Sequence, residues 1–176
     1  MHTQQITVRE LEEHWGAVSK LAPGESMGGI PNYRLPLWED LCSKLAWQLH
    51  LAETGYFSRK RHGYTGVYRL IGLAVDNDLS TPATLSRVCR PDPTGTLYIG
   101  KSNWLNERAN KLRRRRGRHN AIETLGHTPL GKLFPPNKLA IGLLFTKVGM
   151  PRLIEGQLIR AYMNSFGDTP PLNVRL

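Results

Sequence analysis

The sequence predicts an α+β domain: a small antiparallel or mixed three-stranded sheet flanked by helices, with a helical extension in front. Three observations predict it. Apolar runs of strand length, bounded by turn residues, lie at 65–75, 96–100 and 138–149. The segments after the second and third runs repeat their apolar residues at helical spacing. Two further helical stripes precede the first run, which divides the chain into an extension over 1–60 and a main domain over 61–176.

Taken in order, residues 5–22 form the first expected helix. Thr7 can cap it with Glu10 three residues on, and Leu11, Trp15, Val18 and Leu21 share a face. A loop rich in Gly and Pro, 22–36, separates it from a second expected helix over 37–52, with Leu37, Leu41, Leu45 and Leu49 as its stripe and Gly55 beyond its end. A basic connector (58–65) leads into the first strand. Residues 76–95 are full of turn formers without a period and read as an excursion between two paired strands. It could carry recognition, as loops on a rigid scaffold commonly do. After the second strand, Ser102 is a fair N-cap for a helix from Asn103 to about Arg116. A helical turn is expected within 128–134. Pro151 suits the first turn of a last helix reaching about Asn164, because its missing N–H does no harm there.

Composition narrows the function classes. Apolar residues make up 40% and charged residues 22%, a globular balance. No apolar run approaches the ~18 residues needed to cross a bilayer, and the N-terminus lacks a charged-then-apolar signal pattern. Cys42 and Cys89 have no CxxC spacing, so a reduced, cytoplasmic setting is expected and a zinc site is not. The formal net charge is +10. It is concentrated: Lys101, Arg108, Lys111, Arg113, Arg114, Arg115, Arg116 and Arg118 stand against Glu107 alone. Such density points to a polyanionic partner, with the 111–118 cations gripping a nucleic-acid backbone.

Two charges sit where apolar residues are expected. Glu155 lies three and four residues before Leu158 and Ile159, so it points with the apolar stripe of the last helix. A carboxylate there requires an ion-pair partner or a bound cation. Arg108 shares a face with Trp104, Leu105 and Leu112. It suits either an internal ion pair, conceivably with Glu155, or a guanidinium held in a cleft for phosphate. On the strands, alternation sets Tyr68 opposite Val67, and Tyr98 opposite Leu97 and Ile99.

Gly66-Val67-Tyr68, then Tyr98-Ile99-Gly100, then Arg108 ten residues after Tyr98, Glu155 on a later helix and Asn173 near the end form a series that resembles the GIY-YIG nuclease superfamily over about residues 65–175. The place one helical turn after the arginine, where many members carry His or Tyr, holds Leu112, and the segment 69–97 is longer than in minimal members. The resemblance implies a divalent-metal-dependent endonuclease acting on DNA, with Glu155 holding Mg²⁺ or Mn²⁺, Arg108 offsetting phosphate charge and Asn173 holding the site's geometry. Tyr98 is the favoured general base, with Tyr68 orienting water or sharing the role. Lys101, three residues after Tyr98, is expected to favour its phenolate. The alternative is a nucleic-acid-binding module of the same fold without catalysis. Cutting both strands from one site per chain would need a homodimer or two successive events.

Overall fold

A computed structural model of the chain describes Trp38, Leu41, Cys42 and residues 47–50, 65–114, 120–146 and 149–173. The sheet has four antiparallel strands: β1 (Trp47–His50), β2 (Gly66–Gly72), β3 (Thr96–Ser102) and β4 (Leu139–Phe145), in the order β1-β4-β2-β3. The three expected strands are therefore present, and β1 is an addition. It corrects the expected helix over 37–52. Trp38, Leu41 and Cys42 are helical, but Trp47–His50 pairs along β4, with Trp47 opposite Leu143 and His50 opposite Ala140. A stripe of leucines at helical spacing gives way where β4 offers a hydrogen-bonding edge, because tertiary pairing outweighs local propensity. The expected helix over 5–22 lies outside the described residues.

Every residue of β2 is buried, which suits a central strand with neighbours on both sides. Gly66 is required there by contact. A Cβ on it would stand 2.0 Å from the Leu144 carbonyl oxygen and 2.8 Å from a Leu105 methyl. β2 pairs β3 with Tyr68 opposite Gly100 and Leu70 opposite Tyr98, but Ile71 faces Thr96, so Leu97 is an extra residue. This bulge corrects the simple alternation: Ile99 does face away from Tyr98, but Leu97 joins the cluster that contains Tyr68 and Leu70.

Helices cover both faces of the sheet. On one side lie α1 (Leu105–Arg114), α2 (Asn120–His127) and α3 (Pro129–Leu133). Leu105, Ala109 and Leu112 of α1 pack there with Tyr68, Leu70, Ile141 and Leu143. On the other side α4 (Pro151–Phe166) buries Ile154, Leu158, Ala161, Tyr162 and Phe166 against Val67, Ile99 and Leu144, joined by Trp38, Leu41 and Cys42. Pro151 occupies the first turn of α4 as expected. The helix ends at Gly167, whose φ of 78° is left-handed and whose N–H returns to the Met163 carbonyl at 2.7 Å.

The 76–95 excursion is tied down at its second half. The Cys89 N–H reaches the Phe166 carbonyl (3.0 Å), Arg90 Nε reaches the Ser165 carbonyl (3.0 Å), and Arg87 pairs with Asp168 (2.7 Å). Arg90 thus meets a carbonyl in the last turn of α4, where the helix dipole favours cations, and Arg87 holds the segment just beyond it. Among the described residues, no helix is long and apolar enough to cross a membrane.

Candidate functional site

β2 and β3 carry the two phenols on one face. Tyr68 is buried and Tyr98 is half-buried, and their ring centroids are 5.8 Å apart. Their side chains are hydrogen-bonded to each other. Gly100 makes the arrangement possible. A Cβ there would stand 2.4 Å from the Tyr98 ring and 2.8 Å from the Tyr68 hydroxyl oxygen. Gly100→Ala is therefore expected to push the phenols apart, destabilising the fold by about 1–3 kcal/mol as overpacking does. A denaturation midpoint and the tyrosine ultraviolet difference spectrum would both register it; an unchanged pair would refute this packing.

Arg108, half-buried on α1, and Glu155, on α4, both act on these two phenols. The guanidinium lowers both phenol pKa values and the carboxylate raises both. Two charges far apart in the chain thus both bear electrostatically on this pair of hydroxyls. Glu155 does not pair with Arg108. Its partner is Lys101, with Nζ 3.2 Å from Oε2 and the Glu155 side chain only 20% exposed. This answers the sequence's demand that the carboxylate be compensated, and it relocates Lys101. The lysine serves Glu155 instead of Tyr98, so the expected lowering is not found. Burial, followed by the Glu155 charge, holds Tyr98 above the usual phenol range.

Asn173 is buried, and both ends of its amide are engaged. Oδ1 accepts the Ile99 N–H (2.9 Å) and Nδ2 donates to the Ile99 carbonyl (2.8 Å). With the Leu172 N–H on the Leu97 carbonyl (2.9 Å), it covers the outer side of β3 beside Tyr98. Its role is to fix the strand that carries the phenol.

The cation run is only partly in view. Lys111 is exposed and bridges Glu107 at 2.6 Å. Arg113 donates to Asn110 Oδ1 at 2.9 Å. Arg114 closes α1, and Arg115, Arg116 and Arg118 lie outside the described residues. Leu112 is core.

Sequence reading missed a buried polar chain behind β2. Arg69 Nη1 donates to Cys42 Sγ (2.7 Å) and Thr96 Oγ1 (3.2 Å). Thr96 and Thr94 share a hydroxyl contact of 2.9 Å, and Thr94 Oγ1 donates to Asp92 at 2.6 Å. A buried cation and a buried anion are thus joined through two hydroxyls. Burial pushes the Cys42 thiol up to about 11 despite the guanidinium beside it. The one signal was an arginine inside an otherwise apolar strand.

Tyr162 also donates to Asp92 (2.9 Å), and burial, then the Asp92 charge, raises its pKa. Tyr68, Tyr98 and Tyr162 are all held protonated past the unfolded value of about 10. A raised pKa means that the native state binds more protons than the unfolded chain. The stabilisation is complete below about pH 10 and is lost as pH climbs through the folded values. Urea unfolding against pH should show stability falling above about pH 10, with a shallower fall in Tyr162→Phe; identical slopes would contradict the assignment.

Among the described residues, no group of three or more His, Cys, Asp and Glu is placed to enclose a metal ion. A partly exposed carboxylate such as Glu155 still fits Mg²⁺, which keeps most of its waters and needs only one or two protein oxygens. The chain matches no family model, no curated protein and no solved structure.

Proposed function

We propose that the chain is a divalent-metal-dependent endonuclease of the GIY-YIG type that hydrolyses DNA phosphodiester bonds. The observation that carries the reading is the convergence of Arg108 and Glu155 on the hydrogen-bonded Tyr68–Tyr98 pair. The cation-rich stretch from Lys101 to Arg118 supplies the affinity for a phosphate backbone. A cytoplasmic setting is part of the same proposal.

Glu155 is the residue that would hold Mg²⁺ or Mn²⁺, with the Lys101 ammonium giving up its place on the carboxylate. Such an ion, when bound, supplies Lewis-acid stabilisation of the phosphoryl oxygens and the leaving oxygen. The remaining chemistry belongs to the chain. Arg108 meets the charge that builds on the phosphate. Tyr98 directs the attacking water, with Tyr68 hydrogen-bonded beside it. Burial first and the Glu155 charge second oppose ionising Tyr98; a cation on Glu155 would offset the second, and Arg108 works in the same direction. Asn173 keeps β3, and with it Tyr98, in place.

The test is cleavage of plasmid, single-stranded DNA and RNA by purified protein, with Mg²⁺, Mn²⁺ or chelator, alongside Glu155→Ala and Arg108→Ala. Chelator-sensitive DNA cleavage that both variants lose is the expected result. A second reading, a binding module of the same fold, is favoured by one feature: Glu155 already has a cation in Lys101. DNA binding without cleavage under any of these conditions would select it.

A further inference from the structure

Trp104 is the aromatic residue among the large hydrophobic side chains left exposed in the described residues, with 56% of its surface open. Its backbone is fixed all the same. Its N–H donates to Ser102 Oγ at 2.9 Å, and its carbonyl accepts the Arg108 N–H at 2.9 Å. The next residue, Leu105, is anchored in the core. The indole is therefore held outward on a rigid turn. It occupies the residue just before α1, where Ser, Thr, Asp or Asn would cap the helix and tryptophan contributes nothing of the kind. A local rule broken without a structural return is characteristic of a functional position.

Its place gives that function content. Trp104 follows Lys101, the partner of Glu155, by three residues, and precedes Arg108 by one helical turn. Arg108 acts on both phenols. The indole thus stands exposed one helical turn before the guanidinium assigned to the phosphate, at the start of a helix that continues into Lys111 and Arg113. A polyanionic strand drawn to these cations brings its bases past an uncovered aromatic face, and every base has a π-face that can stack there. Resting on the nuclease reading, we infer that Trp104 is a stacking platform for a nucleobase next to the scissile phosphate. A base can lie flat on an indole only when it has left the duplex stack. The substrate class is therefore DNA with an unpaired nucleotide at the cut: single-stranded, flapped or bulged.

The test uses the full chain and three duplexes: fully paired, carrying one unpaired nucleotide, and carrying an abasic residue at that position. Binding is read by fluorescence anisotropy in chelator, and cleavage separately in Mg²⁺. Wild type is expected to bind the unpaired nucleotide roughly tenfold tighter than the abasic site. Trp104→Ala should lose that preference and Trp104→Phe should keep most of it. A preference that survives in Trp104→Ala overturns the inference. So does a Trp104→Ala chain that changes from dimer to monomer, because the indole would then be a subunit contact. If wild type cleaves DNA but treats base and abasic residue alike, the stacking role alone fails. If it neither binds nor cleaves DNA, the nuclease reading fails and takes the inference with it.

Discussion

Glu155→Ala is expected to lower Mg²⁺-dependent DNA cleavage by about 10³-fold or more while leaving the chain folded and able to bind DNA. The size follows from removing the carboxylate assigned to the cation and, with it, the charge stabilisation that a bound cation would supply, worth several kcal/mol in a transition state. The fold should tolerate the change. Glu155 makes an ion pair with a lysine side chain that is 40% exposed, and pairs so open to water contribute about 0–1 kcal/mol. The variant also releases Lys101 to meet phosphate, so DNA affinity should hold or rise. Single-turnover cleavage, paired with anisotropy on the same oligonucleotide, separates the two effects. Wild-type rates in the variant would show that the carboxylate plays no part in the chemistry.

Asp92→Ala is the substitution expected to harm stability most. The carboxylate is fully buried and accepts the Thr94 N–H (2.7 Å), the Thr94 hydroxyl (2.6 Å), the Thr96 N–H (3.1 Å) and the Tyr162 hydroxyl (2.9 Å). Alanine strands these donors and leaves the Arg69 guanidinium without its compensating anion. Breaking a buried charge network from one side costs about 3–5 kcal/mol. That is a large share of the roughly 5–15 kcal/mol by which a domain is stable. The expected outcome is a greatly reduced urea midpoint, or no cooperative transition near room temperature. A loss below about 1 kcal/mol would mean that the Asp92 contacts are not made in solution.

The parts of the fold that sequence revealed are those governed by local pattern. Apolar runs bounded by turn residues mark β2, β3 and β4, and Pro151 marks the start of α4. What escaped depends on partners distant in the chain. Nothing within "WQLH" distinguishes a fourth turn of helix from a strand; the edge of β4 decides it. Likewise the bulge at Leu97 arises from how β3 meets β2. At the site, the order and spacing of the tyrosines, Arg108 and Glu155 were legible as a set. The lysine's choice of partner was not, because three residues along β3 carry Lys101 away from Tyr98 while α4 brings Glu155 to it. Arg69 is a charge in an apolar strand that the sequence reading passed over, and its compensation through two threonines to Asp92 had no trace in spacing.

The amide of Asn173 has a bearing on how two copies could meet. By occupying the outward N–H and C=O of Ile99, it denies that stretch of β3 to any neighbouring backbone. A continuous sheet running from one molecule into another through this border is thereby blocked beside the phenols. An assembly that cuts both strands of a duplex would have to join by other surfaces and leave the two clefts side by side, unobstructed. Chains lacking the last few residues would expose a bare ladder there and should self-associate.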